Sequence, residues 1–141
     1  ETRYRKSYAD NGFGLYAVKL KAEFYTIDDA QIIANEIRKP KSEIRNPVIG
    51  ICGFVKRDTL PDADIGFAFL PQFCGKGFAL EAAEAVMQYG KTELNLRRVL
   101  AITTQNNETS GKLLKKIGFK FERLIKLPHD ADELKLFSFD M

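Results

Sequence analysis

The chain has no tryptophan, one histidine and two cysteines among its 141 residues. Cys52 and Cys74 stand outside any Cys/His spacing of the kind a zinc site requires, so metal chemistry is not expected. Both read as free thiols of a reducing compartment. Long apolar runs are lacking too: none approaches a membrane span, and the start Glu1-Thr2-Arg3-Tyr4-Arg5-Lys6 cannot serve as a signal peptide. A cytoplasmic location with no membrane partner is the expectation. Charge of one sign is scarce, because 22 Lys and Arg against 19 Asp and Glu leave only +3, scattered rather than gathered in a stripe. That argues against a nucleic-acid partner and supports a modest attraction for a small anionic ligand. There is no internal repeat and no low-complexity segment. The first residue is Glu rather than Met, which suggests that residues preceding it are missing or were processed away.

What is present is an apolar inventory rich in aromatics, 45% hydrophobic with 11 Phe and 5 Tyr, enough to build one core in a single domain over residues 1–141. Phe13 to Leu20 follows the turn pair Asn11-Gly12 and reads as a strand. Ile27, Ala30, Ile33, Ala34 and Ile37 recur at helical spacing up to Pro40, predicting a helix over Ile27–Arg38 inside an inserted segment of about 22–47. Val48–Val55 reads as a buried strand in which Gly50 and Gly53 permit close backbone approach. Asp64–Leu70 is a further strand ended by Pro71, and Gln72–Ala79 has the glycine content of a loop. A helix follows in which Leu80, Ala83, Met87, Gly90 and Leu94 form one stripe and Glu81, Glu84, Gln88 and Lys91 the opposite one. Arg98–Thr104 is a strand, and Glu108–Ile117 a helix stopped by Gly118. Two strands, Lys120–Leu127 and Leu134–Phe139, flank the turn Pro128-His129-Asp130-Ala131-Asp132. This order predicts an α/β (α+β) fold, a mixed sheet with helices against it.

A strand that stops at a glycine-rich turn opening into a helix aims backbone N–H groups and the positive end of the helix dipole at one point, which favours a phosphate. A nucleotide P-loop is excluded because Gly77, not Ser or Thr, follows Lys76. A dinucleotide fold is disfavoured as well, because Arg98–Thr104 runs into Thr-Thr-Gln-Asn with no acidic residue at its end.

Gln72-Phe73-Cys74-Gly75-Lys76-Gly77-Phe78-Ala79 resembles the Q/R-x-x-G-x-G/A pyrophosphate loop of the GNAT acyltransferase superfamily. Ile65-Gly66-Phe67-Ala68-Phe69-Leu70-Pro71 resembles the strand before that loop in the RimJ/RimL-like branch. Asn107-Glu108-Thr109-Ser110, with Leu113-Leu114-Lys115-Lys116-Ile117-Gly118-Phe119, resembles that branch's N-x-x-S…L-x-K-x-G-F helix. The resemblance implies a mostly antiparallel sheet with a V-shaped cleft between two splayed central strands. It also implies an acetyl-CoA site. N–H groups from Phe73 to Ala79 would bind the pyrophosphate, Phe67, Ala68, Phe69 and Leu70 would run beside the pantetheine, Gln72 would belong to the same loop, and Asn107 would hydrogen-bond the cofactor arm.

Acyl transfer to an amine needs a base and an acid. Asp64, immediately before Ile65-Gly66, is the candidate base, where some RimJ/RimL-like enzymes carry an acidic residue; the competing reading is a solvated strand-end carboxylate. Leu114 stands where many relatives have a Tyr that protonates the thiolate, and Ser110 is the substitute that the pattern offers, against the reading of a cap or packing residue. His129 reads as a solvated loop residue, and Lys112, Lys115 and Lys116 as a helix face that could also meet the 3′-phosphate of CoA. The expected function is an N-acetyltransferase acting on an amine, such as a protein N-terminus, a polyamine or an aminoglycoside-like compound; the alternative is an acyl-CoA-binding module without turnover. The segment Tyr8–Leu20 resembles a part of the family that follows a strand and two helices, and almost nothing precedes it here. An open sheet edge and an uncovered apolar face predict that Ile27–Arg38 covers that face, in its own subunit or a partner, and that the protein is a homodimer.

Overall fold

The computed structural model describes residues 9–21 and 47–141. The helix expected over Ile27–Arg38 lies outside the described residues. The described elements are β1 (Leu15–Lys19), β2 (Val48–Val55), β3 (Asp64–Phe69), α1 (Phe78–Thr92), β4 (Arg98–Thr104), α2 (Glu108–Ile117), β5 (Lys120–Ile125) and β6 (Leu134–Asp140). The strands form one sheet in the order β1-β2-β3-β4-β6-β5. Every neighbouring pair is antiparallel except β3 and β4, whose connection through α1 is a crossover and leaves them parallel.

That parallel pair is joined at one register position, Asp64 opposite Leu100, beside the 2.9 Å bond from the Leu100 N–H to the Ala63 carbonyl. Beyond this point β3 stays with β2 and β4 stays with β6, so the sheet opens into the expected V.

The strand period of two sorts the side chains into faces. Cys52, Phe54, Ile65, Val99, Ala101 and Phe137 point to one side, where they pack against Ala83 and Met87 of α1 and Leu114 of α2. Leu100 and Leu136 point to the other side and meet Leu60 there. The α1 stripe read from the sequence is buried at Ala83, Met87 and Gly90. Gly90 is small for a reason: a Cβ there would stand 2.7 Å from the fully buried Phe54 ring, so α1 lies flush on β2 only without it. Gly53 allows the same closeness between strands, since its Cβ would meet the Gly14 carbonyl oxygen at 2.2 Å.

Several boundaries differ from expectation for local reasons. β1 is shorter than Phe13–Leu20, since Phe13 turns its ring edge-on to Phe54 at 5.9 Å and Leu20 donates instead to the Pro47 carbonyl. β3 stops at Phe69 rather than Leu70, whose carbonyl accepts the first bond of a 3-10 turn. β5 ends at Ile125 rather than Leu127, because the Leu127 carbonyl accepts from the Asp130 N–H and so already begins the turn. β6 gains Asp140. Among the described residues no helix is long and apolar enough to cross a membrane.

Candidate active site

The loop after β3 divides into two parts. Pro71–Phe73 is a single 3-10 turn, in which the Phe73 N–H donates to the Leu70 carbonyl and the Cys74 N–H to the Pro71 carbonyl, at 2.9 and 3.2 Å. Two of the N–H groups expected to meet a pyrophosphate are therefore already used, because a Pro-initiated turn closes on itself. The Phe73 side chain is buried with Leu20 and Ile49, and anchors the turn.

The second part is open. Gly75 and Gly77 hold φ of +74° and +88°, a left-handed backbone that glycine adopts without strain. A Cβ at either would meet nothing within 4 Å among the described residues, so none of them fills the space before the loop. Gly77 is the N-cap of α1, which has no side-chain cap. Its carbonyl accepts from the Glu81 N–H at 3.1 Å, which leaves Phe78, Ala79 and Leu80 as the uncapped first-turn donors. Phe78 and Ala79, expected in the loop, are thus the first turn of the helix. The Lys76 ammonium lies 5.6 Å from the Phe73 ring centroid, which places one cation at the same turn.

The mouth of the V lies beside this helix end. Alternation along β3 turns the backbone groups of Ala68, Gly66 and Leu70 toward β2, as the 2.9 Å bond from Leu70 to Ile49 requires. Beyond the Asp64–Leu100 bridge, Phe67 and Phe69 therefore turn their N–H and carbonyl groups to the cleft. Six residue steps from Asp64 to Leu70 span about 20 Å of extended edge. Across the cleft, Thr103 of β4 sits on the helix side of the sheet, and its buried Oγ1 meets no hydrogen-bond partner among the described residues. Nothing in the sequence marks Thr103, since a threonine in a strand looks like any other β-branched residue.

Asn107 caps α2: its Oδ1 accepts from the Ser110 N–H at 3.1 Å, which leaves the side-chain amide as a donor. Ser110 is half-buried one turn before Leu114, which is buried in the core. The capping bond uses the backbone of Ser110 and not its hydroxyl.

Asp64 is not a solvated strand end. It sits at the vertex of the V, 1% exposed, with Oδ1 accepting from the Arg57 Nε at 3.0 Å. Burial pushes its pKa above the ordinary carboxylate value, and the Arg57 guanidinium pulls against that rise. Cys52 is buried with its thiol pushed up to about 12 by burial, whereas Cys74 is exposed in the loop. His129 is exposed in the β5–β6 turn. Of the three helix lysines, Lys112 and Lys115 line a groove with Lys135, Phe121 and Phe137, and Lys116 lies outside it.

The donor set suits a long acyl thioester carrying a diphosphate. An uncapped helix end, two left-handed glycines and, among the described residues, a strand edge with unused backbone groups stand at the opening between β3 and β4, and β4 carries a buried hydroxyl without a partner among those residues.

Residues 1–120 match the family model described as the acetyltransferase (GNAT) domain. The chain is 34% identical over 110 residues to the uncharacterized N-acetyltransferase YnaD of Bacillus subtilis, covering 72% of this chain and 64% of that protein. It is 37% identical over 60 residues to the spermidine N(1)-acetyltransferase of Escherichia coli, covering 43% of this chain and 32% of that one. It thus spans less than two thirds of either relative. A crystal structure of an acetyltransferase from Agrobacterium tumefaciens superposes with a TM-score of 0.73 over 99% of this chain and 68% of that one, at 17% identity, a likeness of fold. With the splayed strands and the glycine loop between β3 and α1, the match over residues 1–120 makes this chain a member of the GNAT acetyltransferase family.

Proposed function

We propose that the chain carries an acetyl-CoA-dependent N-acetyltransferase that moves an acetyl group to a primary amine by direct attack. The observation that carries this reading is the uncapped N-terminus of α1 at the mouth of a cleft whose β3 edge, beyond the Asp64–Leu100 bridge, is unpaired among the described residues. Acetyl-CoA when bound supplies an activated acetyl thioester. Gly75, Gly77, Phe78 and Ala79 would hold its pyrophosphate through backbone N–H groups, with Gln72 and Lys76 in the same loop. The edge of Phe67–Leu70, the Asn107 amide and the Thr103 hydroxyl would hold its amide-bearing arm.

At the vertex, Asp64 is the group we assign as base. Burial raises its pKa in the direction of an amine's, which strengthens it as a base, and Arg57 holds the carboxylate in place. Asp64 would take one proton from the ammonium; the neutral nitrogen would then form the C–N bond as the C–S bond breaks, and its second proton would pass through the Ser110 hydroxyl, which gives one proton to the departing sulfur and regains one from the nitrogen. Leu114, which offers no proton, favours a second reading in which the domain binds acyl-CoA and turns over slowly or not at all.

The motifs from Ile65 to Phe119 support placement in the RimJ/RimL-like branch. The spermidine N(1)-acetyltransferase among the relatives supports an amine as acceptor. A cytoplasmic homodimer completes the proposal, with β1 and β5 as the outer strands of the sheet among the described residues. Thiol release over a panel of amines, run beside calorimetry with acetyl-CoA, tests the function. Binding with turnover on at least one amine supports the transferase, and binding without turnover on any selects the second reading. A light-scattering mass of one 16.0 kDa chain at micromolar concentration would defeat the dimer.

A further inference from the structure

The face of the sheet turned away from α1 and α2 carries a groove of about 370 Å³. Its floor is Leu60, Leu100 and Leu136, which bury one another, and its rim is Arg98, Arg123 and Lys126. Among the described residues no carboxylate lines it. Arg98 reaches Glu122 and Asp140 only at 3.8 Å, and neither Arg123 nor Lys126 has a carboxylate within 4.0 Å among the described residues. Leu100 is the register partner of Asp64, so the floor begins at the vertex of the V. The groove therefore meets the cleft from the side opposite the core that holds α1.

We propose that this groove receives the acceptor, and that the acceptor is an α-amine with a carboxylate close to the nitrogen rather than a polyamine. The proposal rests on the transferase reading above. Three cations around an apolar floor raise the local concentration of anions and repel polycations. They act on the nucleophile as well. A like charge nearby disfavours the ammonium form, and an α-amine, with an ordinary pKa of about 7.7–8.0, is closer to neutral at pH 7 than a lysine-type amine at about 10.4. The leucine floor accepts the aliphatic part of the acceptor, and the rim holds its carboxylate. A spermidine would bring two or three positive charges to a rim where Arg123 and Lys126 already stand without a carboxylate partner among the described residues.

Two readouts test this separately from the transferase reading. In the first, a labelled peptide beginning Ala-Asp-Glu is titrated into the CoA-saturated protein, wild type and the double variant Arg123→Glu with Lys126→Glu, with CoA affinity measured on both. We expect peptide affinity to fall at least tenfold in the variant while CoA affinity holds within twofold, and a milder drop in Arg123→Gln with Lys126→Gln. Equal peptide affinity in all three proteins overturns the proposal whether or not any amine is acetylated. In the second, initial rates are compared for the acidic peptide, its Ala-Lys-Lys counterpart, free aspartate and spermidine. A kcat/KM for the acidic peptide at least tenfold above the lysine peptide, reversed in the charge-reversed variant, supports the groove. Preference for free aspartate over the peptide would assign it to a small acidic amine instead. Spermidine matching or exceeding the acidic peptide would sink the assignment, and thiol release with no amine while CoA binds would sink the transferase reading alone.

Discussion

The two sides of the cleft attract anions by different means. Beside α1 the attraction comes from backbone: uncapped N–H groups and a helix end, set by the φ of two glycines. On the opposite side it comes from side chains, three cations around a leucine floor. A backbone field survives most side-chain changes nearby and fails when the loop geometry fails. A side-chain field can be reversed without touching the fold.

The largest expected effect is on the backbone side. Gly77→Asp places a side chain and a negative charge where the diphosphate would lie, and should weaken acetyl-CoA binding at least a hundredfold by calorimetry. Equal affinity for wild type and variant would remove the loop from the site. Next is the vertex, where the two sides meet: Asp64→Asn should leave CoA affinity nearly unchanged and lower turnover about 10²-fold, the usual size of a general-base contribution. The acidic limb of the pH–rate profile, where the rate rises as Asp64 ionises, should change with it, and unchanged turnover would return Asp64 to a structural role.

A smaller effect isolates geometry from charge. Gly77→Ala adds a Cβ that touches nothing, so its cost is backbone strain alone, about 1–2 kcal/mol of stability in urea unfolding. The smallest concerns the Arg57–Asp64 pair. Asp64 has a folded pKa above its unfolded value, so its contribution to stability is fully present below the unfolded pKa and is lost as pH rises through the folded one. Arg57→Ala removes the group that opposes the rise. It should cost about 1 kcal/mol at pH 8, below the figure for a fully buried pair because Arg57 is 38% exposed and screened, and close to nothing at pH 3. A pH-independent loss would mean that Arg57 acts through packing.

The backbone side was legible in the sequence because it is local. β2, β4 and α2 have the bounds read from the sequence, α2 marked by Asn107 at its cap and Gly118 at its stop. Gly75 and Gly77 mark the loop for the same reason, since consecutive residues make a turn. What escaped is either short or dispersed. The 3-10 turn at Pro71–Phe73 occupies the Phe73 and Cys74 N–H groups in a way that glycine content does not signal. Thr103 becomes notable only once its hydroxyl is found buried without a partner. The basic groove gathers Leu60, Arg98, Arg123, Lys126 and Leu136, residues scattered along the chain that register and strand order bring together. Asp64 was legible as a position but not as a buried, arginine-held carboxylate, because nothing in the residues between marks Arg57 as its partner.

The single register pair between β3 and β4 has a mechanical meaning. The sheet is two three-stranded panels, β1-β2-β3 and β4-β6-β5, tacked together at Asp64 and Leu100 and strapped by α1. Such a seam behaves as a hinge whose stiffness is set by what lies in the notch. An extended ligand that hydrogen-bonds β3 on one flank and β4 on the other acts as a splint. Occupancy then stiffens both panels at once, and amides far from the ligand share in the protection it confers.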